Sequence, residues 1–118
     1  MKLLIVDDSN VIRRSIQRTI GERHTEVRTA GNGIEALQVF EEFQPEIVTM
    51  DITMPEMDGL SCVEAILGKR PTTRILVISA LADKATAVEA VKRGATGFLL
   101  KPFTADTLNT ELAELFID

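Results

Sequence analysis

A chain of 118 residues, with 13 Lys and Arg against 18 Asp and Glu and a formal charge of −5, suits one hydrophobic core and disfavours a face that grips a phosphate backbone. Its single cysteine, Cys62, excludes an intramolecular disulfide. The first apolar run is too short for a signal peptide and none approaches the roughly 18 residues of a membrane span, so the expectation is a cytoplasmic protein with neither membrane insertion nor direct nucleic-acid contact.

In chain order, Leu3-Leu4-Ile5-Val6 is an unbroken apolar run of strand length. Ser9 then stands as a helix cap before helical spacing at Ile12, Ile16, Thr19 and Ile20, with Gly21 as the stop. Glu26 to Ala30 is a weaker run that fits an edge strand, and Leu37, Phe40 and Phe43 space out a second helix. Ile47-Val48-Thr49-Met50 predicts the third strand, and Leu60, Val63 and Leu67 the third helix, between Asp58 as cap and Gly68 as stop. Ile75-Leu76-Val77-Ile78 is followed by Ala87, Val88 and Val91 between Asp83 and Gly94. Last come Gly97-Phe98-Leu99-Leu100 and, after Thr104, the spacing of Leu108, Leu112 and Leu115.

Runs without alternation are those of strands buried on both faces. Five strand–helix units with short connections imply a parallel sheet with helices on both faces, because each right-handed crossover lays its helix on one side or the other. The expected fold is α/β, a doubly wound five-stranded parallel sheet, in a single domain over residues 1–118. Ligands of such folds bind beyond the carboxyl ends of the strands, where strand order reverses.

Those ends carry Asp7 and Asp8 after the first strand, Asp51 after the third, Ser79 after the fourth and Lys101 after the fifth. Converging carboxylates repel; a pair about 4 Å apart costs about 4 kcal/mol at an effective dielectric near 20. A cation is therefore expected, and oxygen-only ligands with few carboxylates favour Mg2+. A carboxylate held beside a metal, a lysine and a hydroxyl is equipped for in-line phosphoryl transfer.

The segments LLIVDDS, DITMPEMDG from Asp51, Ser79-Ala80 and Lys101-Pro102, in that order and each at a strand end, resemble the bacterial two-component response-regulator receiver family of the stand-alone chemotaxis type. The resemblance covers the full chain. It implies the flavodoxin-like strand order 2-1-3-4-5, Asp51 as the acceptor of a phosphoryl group from a partner histidine kinase or phosphotransfer protein, and Asp8 as a direct magnesium ligand. Asp7 would bind the metal directly or through water, and the backbone carbonyl of Thr53 would complete the protein ligands. Lys101 would contact the phosphoryl oxygens, Ser79 would move toward them after transfer, and Phe98 falls on the aromatic switch position. It also implies a cis Lys101-Pro102 bond, a form that is inexpensive only before proline. The surface of the fourth helix, fifth strand and fifth helix would change its affinity for a downstream protein. Catalysis would be limited to the protein's own phosphorylation and dephosphorylation.

Taken singly, each feature has a plainer reading. Asp7-Asp8 could be a solvated turn, Ser79 a small packed residue and Lys101 an exposed charge; their shared register at strand ends favours the site. Gly31-Asn32-Gly33 lacks the lysine of a phosphate-binding loop and reads as a turn into the second helix. His24, the only histidine, lies away from the strand ends and builds neither a triad nor a zinc site. A phosphatase with an aspartyl-phosphate intermediate, similar to haloacid dehalogenase-like enzymes, would need a DxD after the first strand, which Asp7-Asp8-Ser9 does not offer. A single-domain phosphorelay shuttle and a phosphate-independent binding module are the remaining alternatives. Thr53 and Leu81, flanking the path of an attacking water, offer no group to orient it, so slow self-dephosphorylation is expected.

Overall fold

Every apolar run of the sequence forms a strand, and a helix follows each one. The computed structural model describes residues 1–20, 26–52, 59–80 and 84–116, the side chain of residue 116 excepted. Along the chain run β1 (Lys2–Val6), α1 (Asn10–Ile20), β2 (Glu26–Ala30), α2 (Gly33–Phe43), β3 (Ile47–Asp51), α3 (Gly59–Lys69), β4 (Arg74–Ser79), α4 (Lys84–Lys92), β5 (Gly97–Leu100) and α5 (Ala105–Phe116). The strands form one sheet in the order β2-β1-β3-β4-β5, and all four pairings are parallel.

Alternation along the strands divides the core in two. Leu4, Val6, Val48, Met50, Ile75 and Val77 face α2, α3 and α4, where Ala36, Phe40, Cys62, Val63, Ile66 and Ala90 meet them. Leu3, Ile5, Ile47, Leu76, Ile78 and Leu99 face α1 and α5, against Ile16, Ile20, Leu108, Leu112 and Leu115. The central strands are therefore apolar at nearly every position. The edge strand β2 instead alternates exposed and half-buried residues before Ala30. Although β5 reads in sequence like the central strands, it is the opposite edge: only Leu99 is buried, and Leu100 is 42 % exposed.

Helix ends follow the capping chemistry where they are described. Ser9 Oγ accepts from the Ile12 N–H at 3.3 Å, and the Thr104 hydroxyl accepts from the Thr107 N–H at 3.1 Å. The turn read at Gly31-Asn32-Gly33 proves to include a cap, with Asn32 Oδ1 accepting from the Glu35 N–H at 2.8 Å. Gly94, at φ 104°, closes α4: its N–H reaches the Val91 carbonyl and that of Ala95 the Ala90 carbonyl, the paired bonds of a Schellman turn. Gly68 does not stop α3 but lies in its last turn, since the helix continues to Lys69. The expected caps Asp58 and Asp83, the stop Gly21, and His24 lie outside the described residues. The Lys101-Pro102 bond is cis, as the resemblance implied.

Thr49 sits in the middle of β3, fully buried, and its hydroxyl has no hydrogen-bond partner among the described residues. A buried hydroxyl without a partner retains its desolvation cost, so an isosteric methyl removes a penalty rather than an interaction. Thr49→Val is expected to raise unfolding free energy by about 1 kcal/mol, as measured by urea denaturation.

Candidate functional site

The crossovers from β1 and β3 leave in opposite directions, because β1 lies between β2 and β3, and the crevice between their carboxyl ends is the switch point of the sheet. Asp7 and Asp8 follow β1 there, and Asp51 is the last residue of β3. Neighbouring residues take different surroundings as the chain leaves the strand: Asp7 is 1 % exposed, whereas Asp8 faces solvent. Asp51 is equally buried at 1 %. One carboxylate oxygen from each of Asp7, Asp8 and Asp51 lies within 4.8 Å of the other two.

Local packing fixes these groups closely. Gly59 opens α3 directly against the end of β3, where a Cβ would lie 2.4 Å from both the Asp51 carbonyl oxygen and Ile52 Cα. Register sets Asp51 beside Ile78, and the Ile52 N–H donates to the Ile78 carbonyl at 3.3 Å, so Ser79 follows immediately at the end of β4, fully buried. Lys101 comes just after β5, and its N–H donates to the Ser79 carbonyl at 2.8 Å. Its ammonium stands 2.9 Å from Asp7 Oδ2 and 3.5 Å from Asp51 Oδ2. The structure thus brings Asp7, Asp8, Asp51, Ser79 and Lys101 to one crevice. Thr53 and Leu81 lie outside the described residues. Phe98 is not at the crevice; it is half-buried on β5, opposite Val77, against the α2/α3/α4 side of the core.

Burial governs the electrostatics. The Asp7 carboxyl is pushed above its ordinary value of 3.8 chiefly by loss of water, with the nearby Asp51 charge adding to the effect and Lys101 and the Ser9 N–H opposing it. For Lys101, burial works against the ammonium, but contact with Asp7 and the field of Asp51 outweigh it and raise its pKa. Clustered carboxylates against one ammonium leave net negative charge in the crevice, which an additional cation would relieve. The donor set is oxygen alone, from converging groups, two buried and one open to solvent, which fits a hard divalent ion.

Sequence reading missed one residue that bears on this crevice. Arg13, in the first turn of α1, donates from Nη1 to the Asp7 carbonyl oxygen at 2.5 Å. A signal was present: a cation in a first turn that has no acidic residue opposes the helix dipole, and so calls for a reason.

Comparison with known proteins gives one consistent match. Residues 3–113 match the model of the response regulator receiver domain. The chain is 44 % identical over 107 residues to the chemotaxis protein CheY of Listeria monocytogenes, covering 90 % of each chain. It is 43 % identical over 103 residues to CheY of Thermotoga maritima, covering 86 % of each. The solved structure of Vibrio cholerae CheY4 superposes with a TM-score of 0.91 at 33 % identity, over 98 % of each chain.

Because burial raises the Asp7 pKa, ionising Asp7 costs the folded state stability as pH rises through the raised value, while below 3.8 no cost remains. In chelator, Asp7→Asn is therefore expected to melt at a higher temperature than the parent at neutral pH, with the advantage fading as pH falls toward 3.8. Melting curves by circular dichroism across that range provide the measurement.

Proposed function

The chain belongs to the response regulator receiver family, and from that premise we propose that Asp51 accepts a phosphoryl group from a partner histidine kinase or phosphotransfer protein in a magnesium-dependent reaction. The observation that carries this reading is the burial of Asp51 within the oxygen cluster and 3.5 Å from the Lys101 ammonium. Asp7 and Asp8 would hold the ion together with Asp51. Bound magnesium supplies positive charge to the equatorial phosphoryl oxygens.

The residues divide the remaining work. An Asp51 carboxylate oxygen forms the new bond to phosphorus as the donor's bond breaks, and the leaving group departs on the opposite side. Lys101, kept charged by its two carboxylate neighbours, faces the charge that moves onto Asp51. The Ser79 hydroxyl, at the end of the neighbouring strand, would hydrogen-bond the group after transfer. The protein would act on no substrate but itself.

Readout would pass through β5 and α4 as a shift between two states. Ser79 and Lys101 are joined through the main chain, and Phe98, which lacks a phenolic hydroxyl, packs by apolar contact on the same strand. On the adjoining surface Val88, Val91 and Leu100 are 43 %, 60 % and 42 % exposed, apolar side chains the fold leaves open to solvent. A downstream protein would bind there. The resemblance over 90 % of the chain to Listeria monocytogenes CheY supports chemotaxis-type signalling in the cytoplasm as the setting.

Incubation with magnesium and acetyl phosphate is expected to give about one acid-labile phosphate per chain, none with chelator and none in Asp51→Asn. Repeated rapid turnover of a phosphomonoester would point instead to a phosphatase, and no labelling at all to an inert module. After removal of donor, the label should persist for minutes or longer, because Thr53 and Leu81 provide no amide or carboxylate to orient water. Decay within seconds would contradict that part of the reading.

A further inference from the structure

We propose that Arg13 is a positioning residue for the acidic cluster: its guanidinium fastens the loop after β1 so that the Asp7 and Asp8 carboxylates are held in place to bind magnesium. The inference rests on the reading of Asp7, Asp8 and Asp51 as a metal site.

Four contacts fix Asp7. Its N–H donates to the Ala30 carbonyl at 3.1 Å, Oδ1 accepts from the Ser9 N–H at 2.9 Å, Oδ2 meets Lys101 at 2.9 Å, and its carbonyl oxygen accepts from Arg13 Nη1 at 2.5 Å. Three of these come from main chain or from within the site. Arg13 is the one that enters from outside, and it holds the peptide that joins the two aspartates. The same guanidinium donates through Nη2 to Asn10 Oδ1, so the side chain is held at both of its terminal nitrogens. Its third neighbour is the loop after β2, where a Cβ on Gly31 would lie 3.3 Å from Nη1 and 3.7 Å from Glu35 Oε2. Gly31 leaves the space that the guanidinium fills. One planar fork thus ties the loop after β1 to the first turn of α1 and lies against the loop after β2.

This arrangement separates position from charge. As a charge alone, Arg13 near the carboxylates would compete with magnesium, and its removal would tighten metal binding. As a support that orients ligands, its removal would loosen binding, since groups of this kind typically contribute about 10–100-fold in metal affinity. The two roles predict opposite signs.

The sequence has no Trp or Tyr, so magnesium binding is best followed by calorimetry, with amide NMR shifts of residues 7 and 8 as a second readout. Arg13→Gln is expected to bind magnesium about 10-fold more weakly than the parent, with the shifts of residues 7 and 8 displaced before metal is added. Arg13→Lys, which keeps the charge but loses the fork, should also bind more weakly. Gly31→Ala, which crowds the guanidinium without removing it, should lose a few-fold and guards against an unfolded Arg13→Gln. Arg14→Gln, an equal loss of charge at an exposed position on the same helix, should bind as the parent does. A parent that binds magnesium together with an Arg13→Gln that binds equally or more tightly would overturn this proposal alone. A parent that binds none would overturn the metal reading and this proposal with it.

Discussion

Two buried carboxylates share one half-buried ammonium at the switch point of the sheet, and the rest of the molecule is arranged to tolerate that. Asp7 and Asp51 are each 1 % exposed, and Lys101 reaches both. Such a group of charges does not stabilise the fold; carboxylates this deep cost several kcal/mol each in solvation, which one ammonium offsets only in part. Core residues on both faces of the central strands supply the stability that allows the excess negative charge to persist. The site is a region of net negative charge held by a rigid frame; a divalent cation would relieve that charge and so lower the cost of bringing in the further negative charge of a phosphoryl group.

Rigidity at the crevice comes from close approach more than from large side chains. At Gly59 the first turn of α3 meets the end of β3 with no space for a methyl group, so the Asp51 main chain is bounded on that side by backbone. On the other side the loop after β1 is fastened by hydrogen bonds to Ala30 and Arg13. Both constraints act on main chain rather than on the carboxylates.

Much of this could be read from residues alone, for a definite reason. A parallel sheet covered on both faces turns each central strand into an unbroken apolar run, so Leu3–Val6, Ile47–Met50 and Ile75–Ile78 announce themselves, and whatever polar residue ends each run must lie at the same edge of the sheet. Asp7, Asp51 and Ser79 follow from that. What stayed hidden depends on the path of the chain in space. Gly97-Phe98-Leu99-Leu100 has the same apolar character although it lies at an edge, because an exposed apolar residue such as Leu100 looks identical in sequence to a buried one. Gly68 suggested a helix stop but lies in the last turn, while α2 ends at Gln44 in the left-handed region without a glycine to mark it. The unequal burial of Asp7 and Asp8 and the bond from Arg13 to a carbonyl require the loop conformation, which no periodicity encodes.

The hydrogen bond from the Lys101 N–H to the Ser79 carbonyl ties the inner strand β4 to the segment that follows β5, at the surface edge of the sheet. At 2.8 Å it leaves little slack, so displacement of one strand end is felt by the other. Thermodynamic linkage then acts in both directions. If Asp51 is the acceptor, a protein that grips the exposed edge around Leu100 and prefers one setting of Lys101 would change the free energy of charging Asp51 by the same amount that charging Asp51 would change that protein's grip. The listener at this surface would then also be a speaker: the abundance of a downstream partner would set how readily the acceptor is filled, just as the filled acceptor would set how well the partner holds.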